Sequence, residues 1–247
     1  GGDIIYASAG ADKIDGGDGN DFVSYVKSQS AVTIDLGAGT ASGGFARFDK
    51  LADIEGLIGS DFNDKLAGDS GNNTIIGGIG ADTIDGAGGF DLVDYEPSIE
   101  AVTINLATGA GFGGDAEGDR LTDVEAVLAS LGDDIVIGDG NANSIDGSAG
   151  NDTISGGNGA DTLAGGADED TLDYRDSTAG VTVDLSLGRG TGGYAQGDVL
   201  SGFEIVKGSD FGDALSGDDN ANRLEGLGGN DTLQGGRGAD TLVGDGG

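Results

Sequence analysis

The chain has 247 residues, of which 54 are glycine, and it contains no Cys, Met, Trp or His. Its 45 acidic residues outnumber the 11 basic ones, so the formal net charge is −34 at pH 7. Without His and Cys there is no Ser-His-Asp or Cys-His nucleophile, no His/Cys zinc site and no disulfide. The charge argues against nucleic acid as a partner, because nucleic acid requires clustered Lys and Arg. No apolar run approaches the length of a membrane helix, so we expect no direct membrane insertion by this segment.

Two motifs recur at long intervals and define the layout of the chain. Asp-Phe-Val-Ser-Tyr at 21–25 returns in related form at 91–95 and 170–174. The Ala-Val-Thr-Ile-Asp-Leu segment that starts at Ala31 returns in related form at Ala101 and at Gly180. Both motifs therefore recur after the same two steps along the sequence. The second step is longer than the first by nine, which is the length of a shorter repeat.

The shorter repeat places Asp or Asn at every ninth residue. A typical unit has Gly at its first, second and fourth places, the Asp or Asn at its sixth and an aliphatic residue at its eighth. The sixth-place residues are, in chain order, Asp3, Asp12, Asp21, Asp64, Asn73, Asp82, Asp91, Asp134, Asn143, Asp152, Asp161, Asp170, Asp213, Asn222, Asp231 and Asp240. They define four nonapeptide blocks, residues 1–24, 59–94, 129–173 and 208–247. Three flanking segments separate the blocks, residues 25–58, 95–128 and 174–207, and we expect one continuous solenoid throughout.

Each unit combines a turn with a short strand. Glycine permits the positive φ angles of a tight turn, and the last three places form a strand whose central side chain points away from its neighbours. Two units per coil give a flattened solenoid of about 18 residues, in which stacked coils align the aliphatic side chains inside. The sequence therefore predicts an all-β fold, a parallel β-roll. The predicted interior ladder is Val23, Ile75, Ile84, Val93, Ile154, Leu163, Leu172, Leu233 and Leu242.

The flanking segments carry a different pattern. Val32, Ile34 and Leu36 alternate with polar residues, which is typical of a half-buried strand. Tyr25 and its equivalents Tyr95 and Tyr174 replace the first Gly of the next unit, so we expect the strand to continue there with Tyr filling the interior. We interpret the flanks as calcium-poor spacers through which the solenoid continues, and a binding surface is the alternative.

The spacing of the sixth-place residues points to calcium. Ca²⁺ takes six to eight oxygen ligands, and turns that stack at about 4.8 Å bring Asp residues 18 apart close together. The strongest predicted pairs are Asp3–Asp21, Asp64–Asp82, Asp134–Asp152, Asp152–Asp170 and Asp213–Asp231. Weaker candidates run through the Asn units: Glu55–Asn73–Asp91, Glu125–Asn143–Asp161 and Glu204–Asn222–Asp240, with Asp69, Asp139 and Asp218 as local additions. The alternative is a calcium-free solenoid with Asp and Gly as ordinary turn residues, but unneutralised carboxylates would then repel in every block.

The unit Gly-Gly-x-Gly-x-Asp-x-U-x, present in full at 77–85, 156–164 and 235–243, resembles the calcium-binding repeat of the RTX (repeats-in-toxin) family. The resemblance implies a right-handed β-roll with multiple Ca²⁺ ions in its turns. It also implies that carbonyls at the second and fourth places complete the ligand shells. The corresponding residues are Gly17, Gly19, Gly78, Gly80, Gly157, Gly159, Gly236 and Gly238.

The resemblance further implies a secreted chain, extracellular or on the bacterial cell surface, that leaves the cell unfolded through a type I secretion machinery and folds in calcium outside. The chain lacks an initiator Met and opens inside a Gly-rich unit, so we expect it to be a segment of a larger toxin, adhesin or exoenzyme. Alternatives are a rigid extender or surface-layer segment of a giant adhesin, and the non-catalytic repeat domain of a polysaccharide-modifying or proteolytic exoenzyme. Paired carboxylates also occur in glycosidases, but ligating carboxylates are occupied, so we expect any catalysis to lie outside this segment.

Overall fold

The computed structural model describes all 247 residues, which form two compact units, Gly1–Leu128 and Ala129–Gly247. Every strand is three residues long. The first unit contains β1 (Ile4–Tyr6), β2 (Lys13–Asp15), β3 (Phe22–Ser24), β4 (Thr33–Asp35), β5 (Thr40–Ser42), β6 (Lys50–Ala52), β7 (Gly56–Ile58), β8 (Lys65–Ala67), β9 (Thr74–Ile76), β10 (Thr83–Asp85), β11 (Leu92–Asp94), β12 (Thr103–Asn105), β13 (Ala110–Phe112), β14 (Arg120–Thr122) and β15 (Ala126–Leu128). The second contains β16 (Ile135–Ile137), β17 (Ser144–Asp146), β18 (Thr153–Ser155), β19 (Thr162–Ala164), β20 (Thr171–Asp173), β21 (Thr182–Asp184), β22 (Arg189–Thr191), β23 (Val199–Ser201), β24 (Ile205–Lys207), β25 (Ala214–Ser216), β26 (Arg223–Glu225), β27 (Thr232–Gln234) and β28 (Thr241–Val243).

The helical content is limited to short 3₁₀ turns in the flanks. They span Gly44–Ala46, Gly114–Ala116, Leu185–Leu187 and Gly193–Ala195. None of these helices has the length and apolar character that crossing a bilayer requires.

Each unit consists of two stacked sheets. In the first unit one sheet has the order β1-β3-β7-β9-β11-β15 and the other β2-β6-β5-β4-β8-β10-β14-β13-β12. In the second unit one sheet contains β17-β19-β23-β22-β21-β25-β27 and the other β16-β18-β20-β24-β26-β28. Consecutive strands of a block alternate between the two sheets, so parallel pairing joins positions one coil apart, as in Leu66 with Ile84. This confirms the predicted parallel β-roll.

The core is the row of central strand residues between the two sheets. Ile84, for example, is completely buried while Thr83 beside it is exposed. Seven of the nine predicted ladder residues are fully buried: Val23, Ile75, Ile84, Val93, Ile154, Leu163 and Leu172. The prediction was wrong for Leu233, which is half-buried, and for Leu242, which is 46% exposed, because β27 and β28 are the last strands of their sheets.

The flanks are not a simple continuation of the solenoid. In one sheet a single parallel pairing spans the first flank and joins Val23 to Leu57. In the other sheet the same flank contributes β4, β5 and β6, and β5 runs antiparallel to both neighbours. The second and third flanks repeat this arrangement with β12–β14 and β21–β23. Each flank therefore inserts an antiparallel meander into one sheet only.

The meander depends on a hairpin turn after the Val-Thr-Ile-Asp-Leu segment. The Asp35 carboxylate accepts a hydrogen bond from the Ala38 backbone N–H at 2.7 Å, and Gly39 follows with φ +62°. An L side chain at that angle is strained, and a Cβ there would lie 2.7 Å from the Leu51 carbonyl oxygen. The alternation of Val32, Ile34 and Leu36 correctly predicted a strand, but the turn that reverses the chain was missed.

The expected strand extension at the flank tyrosines does not occur. β3 ends at Ser24, and a turn follows in which the Ser28 N–H donates to the Tyr25 carbonyl at 2.8 Å. The second part of the expectation is confirmed, because the Tyr25, Tyr95 and Tyr174 side chains are all buried. The tyrosines fill the interior where the sheet widens from one strand to three.

The core ladder yields a first prediction. Replacing Ile84 with Ala removes buried methyl groups and leaves a cavity, so we expect the free energy of unfolding to fall by about 3 kcal/mol. Urea unfolding of both proteins in the same buffer measures the difference. Thr83→Ala, on the exposed face of the same strand, should change stability by less than about 0.5 kcal/mol. Equal effects at the two positions would contradict a core made of central strand residues.

Candidate metal centres

The sixth-place carboxylates form a hydrogen-bonded ladder between stacked turns. The Oδ1 of Asp82 accepts the backbone N–H of Asp64, one coil earlier, at 2.7 Å. The other predicted pairs meet in the same way: Asp3–Asp21 at 2.7 Å, Asp134–Asp152 at 2.8 Å, Asp152–Asp170 at 2.8 Å and Asp213–Asp231 at 2.9 Å. The structure therefore brings all five predicted pairs together, with one oxygen of each later carboxylate held by backbone.

The Asn units continue the same ladder. Asn73, Asn143 and Asn222 donate their backbone N–H groups to Asp91, Asp161 and Asp240 at 2.7, 2.9 and 3.0 Å. At the flanks a Glu takes the carboxylate position: Glu55, Glu125 and Glu204 accept the N–H groups of Asp21, Asp91 and Asp170, each at 2.9 Å.

Seven carboxylates keep one buried oxygen without any hydrogen-bond partner. The unpartnered atoms are the Oδ2 atoms of Asp21, Asp82, Asp91, Asp152, Asp161, Asp170 and Asp231. Six of these residues are buried, and Asp231 is half-buried. The three ion pairs of the protein lie elsewhere and join Arg175 to Asp173, Arg223 to Glu225 and Arg237 to Asp219. An unpartnered buried carboxylate oxygen is strongly unfavourable, so each of these positions calls for a cation that the chain does not supply.

Backbone carbonyls line the gaps between the stacked turns. A Cβ on Gly157 would strike the Asp139 carbonyl oxygen, and one on Gly159 would strike that of Asn141. The carbonyls at the second and fourth places thus face the turn that lies one coil further along the chain. Of the eight glycines predicted to contribute carbonyls, seven have φ between +78° and +156°: Gly17, Gly19, Gly78, Gly80, Gly157, Gly236 and Gly238. Gly159 is the exception and has ordinary backbone geometry.

The donor set fits a hard cation. No group of three or more Asp or Glu side chains is arranged around a single point, so carboxylates alone do not form a shell. Buried carboxylate oxygens beside backbone carbonyls are nevertheless the mixed oxygen ligands that Ca²⁺ accepts, in a tolerant geometry with six to eight ligands. In these turns the bound ion would neutralise the carboxylates and join neighbouring coils.

A sequence profile described as the RTX calcium-binding nonapeptide repeat matches more than half of the chain. The matched segments are residues 1–25, 58–93, 127–153, 137–172 and 206–247. The chain belongs to the RTX family. Its repeats bind calcium, and several copies are present. No curated protein matches the chain.

Burial changes the acid–base behaviour of the RTX carboxylates. It raises the pKa of Asp82 and of Asp152 to about 7 and that of Asp161 and of Asp170 to about 6, and nearby carboxylates add to each shift. Burial also raises the pKa of Asp91. Without metal, these carboxyl groups therefore bind a proton more readily in the folded turns than in the unfolded chain.

The sequence analysis missed a second set of buried carboxylates, which lies in the flanks between the profile matches. Asp119 accepts the Tyr95 hydroxyl on Oδ2 at 2.8 Å and the Asp82 N–H on Oδ1 at 2.7 Å. Asp49 with Tyr25 and Asp198 with Tyr174 repeat the pair at 2.9 and 2.6 Å. Both oxygens of each carboxylate are partnered, so these residues continue the ladder without a metal. The available signal was that these Asp residues recur in the same two long steps as the flank motifs.

Serines partner the first sixth-place Asp after each flank. The Ser60 N–H and hydroxyl donate to the Asp64 carboxylate at 2.5 and 2.9 Å. Ser130 does the same for Asp134, both at 2.7 Å, and Ser209 for Asp213 at 2.6 and 2.9 Å. These three Asp residues are absent from the group with an unpartnered oxygen.

The raised pKa values predict a pH dependence for the calcium-free protein. The unfolded Asp has a pKa near 3.9, so between about pH 4 and pH 7 the folded state binds more protons than the unfolded state. Stability supplied by protonation is thus full below the unfolded pKa and is lost as pH rises through about 7. Far-UV circular dichroism in chelator should show more β structure at pH 4 than at pH 8. The same β content at both values would contradict the assignment.

The tyrosine pairs yield a third prediction. Tyr95→Phe removes the donor to Asp119 Oδ2 and leaves a buried carboxylate oxygen unpaired, so we expect a loss of about 1–3 kcal/mol in calcium-saturated protein. Chemical unfolding measures it. Tyr6→Phe is the matched control, because the Tyr6 side chain is exposed. A loss for Tyr95→Phe no larger than for Tyr6→Phe would show that the pair is not stabilising.

Proposed function

We propose that this RTX segment is a calcium-dependent folding module of a larger bacterial protein that leaves the cell by type I secretion. The observation that supports this most directly is the set of seven buried carboxylate oxygens without a partner. In low calcium these groups oppose folding, since each must be buried unpaired or protonated. In millimolar calcium outside the cell, binding neutralises them and the binding energy becomes folding energy.

Calcium binding at several sites stabilises the folded state by enough to determine whether the chain folds. A site that binds only the folded state stabilises it by about 2.7 kcal/mol when the ligand is at 100 times its Kd. Several such sites together outweigh the net stability of about 5–15 kcal/mol that is usual for a folded domain. The net charge of −34 and the scarcity of aromatic residues favour a disordered chain when calcium is absent.

The proposed ligands are the sixth-place side chains and the carbonyls at the second and fourth places within blocks 1–24, 59–94, 129–173 and 208–247. We assign the flanks 25–58, 95–128 and 174–207 to a spacer role, because their buried Asp residues are already paired with Tyr hydroxyls. In this proposal the segment is structural and assists secretion, and any catalytic activity belongs to other parts of the parent toxin, adhesin or exoenzyme. The matched family is a calcium-binding repeat, which agrees with that role.

A calcium titration followed by far-UV circular dichroism tests the proposal. The chain starts in chelator at pH 8, and we expect a coil spectrum that converts cooperatively to β structure as free calcium rises. Magnesium is the matched control and should not produce the transition at equal concentration, because it demands a smaller and more regular octahedral site. A full β spectrum in chelator would overturn the calcium-dependent folding, and a rigid extender that needs no trigger would replace it.

A further inference from the structure

Apart from the N-terminal turn of Ser8, the nonapeptide turns take two backbone states, which differ at the second place. In what we call open turns, the second-place residue has positive φ. The open turns are those of Gly17, Gly78, Ala87, Ser148, Gly157, Gly166, Leu227 and Gly236, with φ between +65° and +116°. In what we call closed turns, the first two of each block after a flank, the second-place residue has no positive φ. The closed turns are those of Ser60, Asp69, Ser130, Asp139, Ser209 and Asp218.

The two backbone states differ in whether the oxygens of the sixth-place side chain are satisfied by protein. In every closed turn the second-place N–H donates to that side chain, as Ser60 does to Asp64 at 2.5 Å and Asp69 does to Asn73 at 2.7 Å. The other four distances lie between 2.6 and 2.8 Å. In no open turn does the second-place N–H donate to the sixth-place side chain, and at Ala87 and Ser148 it donates to the Asp two residues earlier. All seven unpartnered Oδ2 atoms belong to open turns, and none belongs to a closed turn. One buried nitrogen, the Nδ2 of Asn222 in a closed turn, has no partner.

A comparison of two serines shows that residue type is not the cause. Ser60 and Ser148 both occupy the second place after a glycine. The Ser148 N–H donates to Asp146 at 3.0 Å instead of to its own sixth-place residue, Asp152, whose Oδ2 stays unpartnered.

Three non-glycine residues hold the strained angle in open turns: Ala87 at +70°, Ser148 at +73° and Leu227 at +65°. Such conformations persist only where the surroundings enforce them, and they concentrate at ligand sites. In these three turns the strained angle and an unpartnered sixth-place oxygen occur together.

We propose that calcium occupies the open turns alone, and that the first two turns of each block after a flank are metal-free. The calcium-bearing side chains are then Asp21, Asp82, Asp91, Asp152, Asp161, Asp170, Asp231 and Asp240. The metal-free turns are those of Asp64, Asn73, Asp134, Asn143, Asp213 and Asn222. In the closed turns a backbone N–H and, in three of them, a serine hydroxyl take the place of the cation. This inference rests on the proposed function and narrows its ligand set, because the sixth-place side chains of the closed turns are then no longer calcium ligands.

Within each block that follows a flank, the metal-free turns come first and the calcium-binding turns come after them. Asp64 and Asn73 lie beside the flank and are satisfied without metal, whereas Asp82 and Asp91 further along depend on calcium. The block of residues 129–173 has the same order, with two closed turns followed by three open ones. Each flank with its two closed turns forms a metal-independent base on which the calcium-loaded coils stack.

The test counts bound calcium per chain in the full 247-residue protein, by equilibrium dialysis in saturating calcium and elemental analysis. Asp82→Asn, in an open turn, should lower the count by about one ion. Asp64→Asn is the matched control and should leave it unchanged, because the Asn73 Oδ1 shows that an amide accepts the second-place N–H equally well. Equal losses in the two variants would overturn the proposal. Circular dichroism in the same buffer verifies that each variant is folded.

A second pair of variants covers the case in which Asp82→Asn does not fold. Asp231→Asn, in an open turn of the last block, should lower the count by about one ion, whereas Asp213→Asn, in a closed turn of the same block, should leave it unchanged. A loss for Asp213→Asn as large as that for Asp231→Asn would overturn the proposal. These counts are made on folded protein, so their outcome is independent of the chelator experiment. A wild-type chain that is already folded in chelator overturns the calcium-dependent folding. The ion counts decide only which turns bind calcium.

Discussion

The structure depends on the hydrogen bond between a sixth-place carboxylate and the backbone N–H of the coil before it. This bond makes each Asp a structural link between turns as well as a charged group. It also fixes one oxygen of the carboxylate, so that the second oxygen is held in the gap between coils. Whatever satisfies that second oxygen determines how the turn behaves. A backbone N–H and a serine hydroxyl do so in closed turns, and a Tyr hydroxyl does so for the flank Asp residues that extend the ladder.

The proposed calcium requirement follows from this arrangement and from the shortage of basic residues. Eleven Lys and Arg residues face 45 acidic ones, and the three ion pairs do not involve a sixth-place Asp. Burial of unpaired carboxylates is costly. The pKa values of Asp82 and Asp152 are raised for the same reason, because burial disfavours the charged form and favours the protonated one. In the proposed function, protons and calcium ions are therefore alternative ways to stabilise the same turns, and above about pH 7 only calcium does so.

The flanks differ from the blocks in how their strands pair. They continue the parallel pairing in one sheet while inserting an antiparallel meander in the other, and the space that this opens is filled by a buried tyrosine. Each tyrosine hydroxyl then partners the Asp that extends the carboxylate ladder through the flank. In the first unit both meanders lie in the same sheet, because the block between them contains four nonapeptides and hence two complete coils.

The sequence by itself determined the β-roll, its coil of two nonapeptides and its interior ladder, because a period of nine with one aliphatic residue permits few other structures. It also identified the Asp pairs, since residues one coil apart must stack. It did not reveal the reversal at Gly39, the Tyr95–Asp119 pair or the difference between Ser60 and Ser148. Those features depend on contacts between residues that are distant in sequence and on the sign of φ at single positions. Identical residue types take opposite backbone states in neighbouring coils, so only the tertiary structure decides which carboxylates are left without a partner.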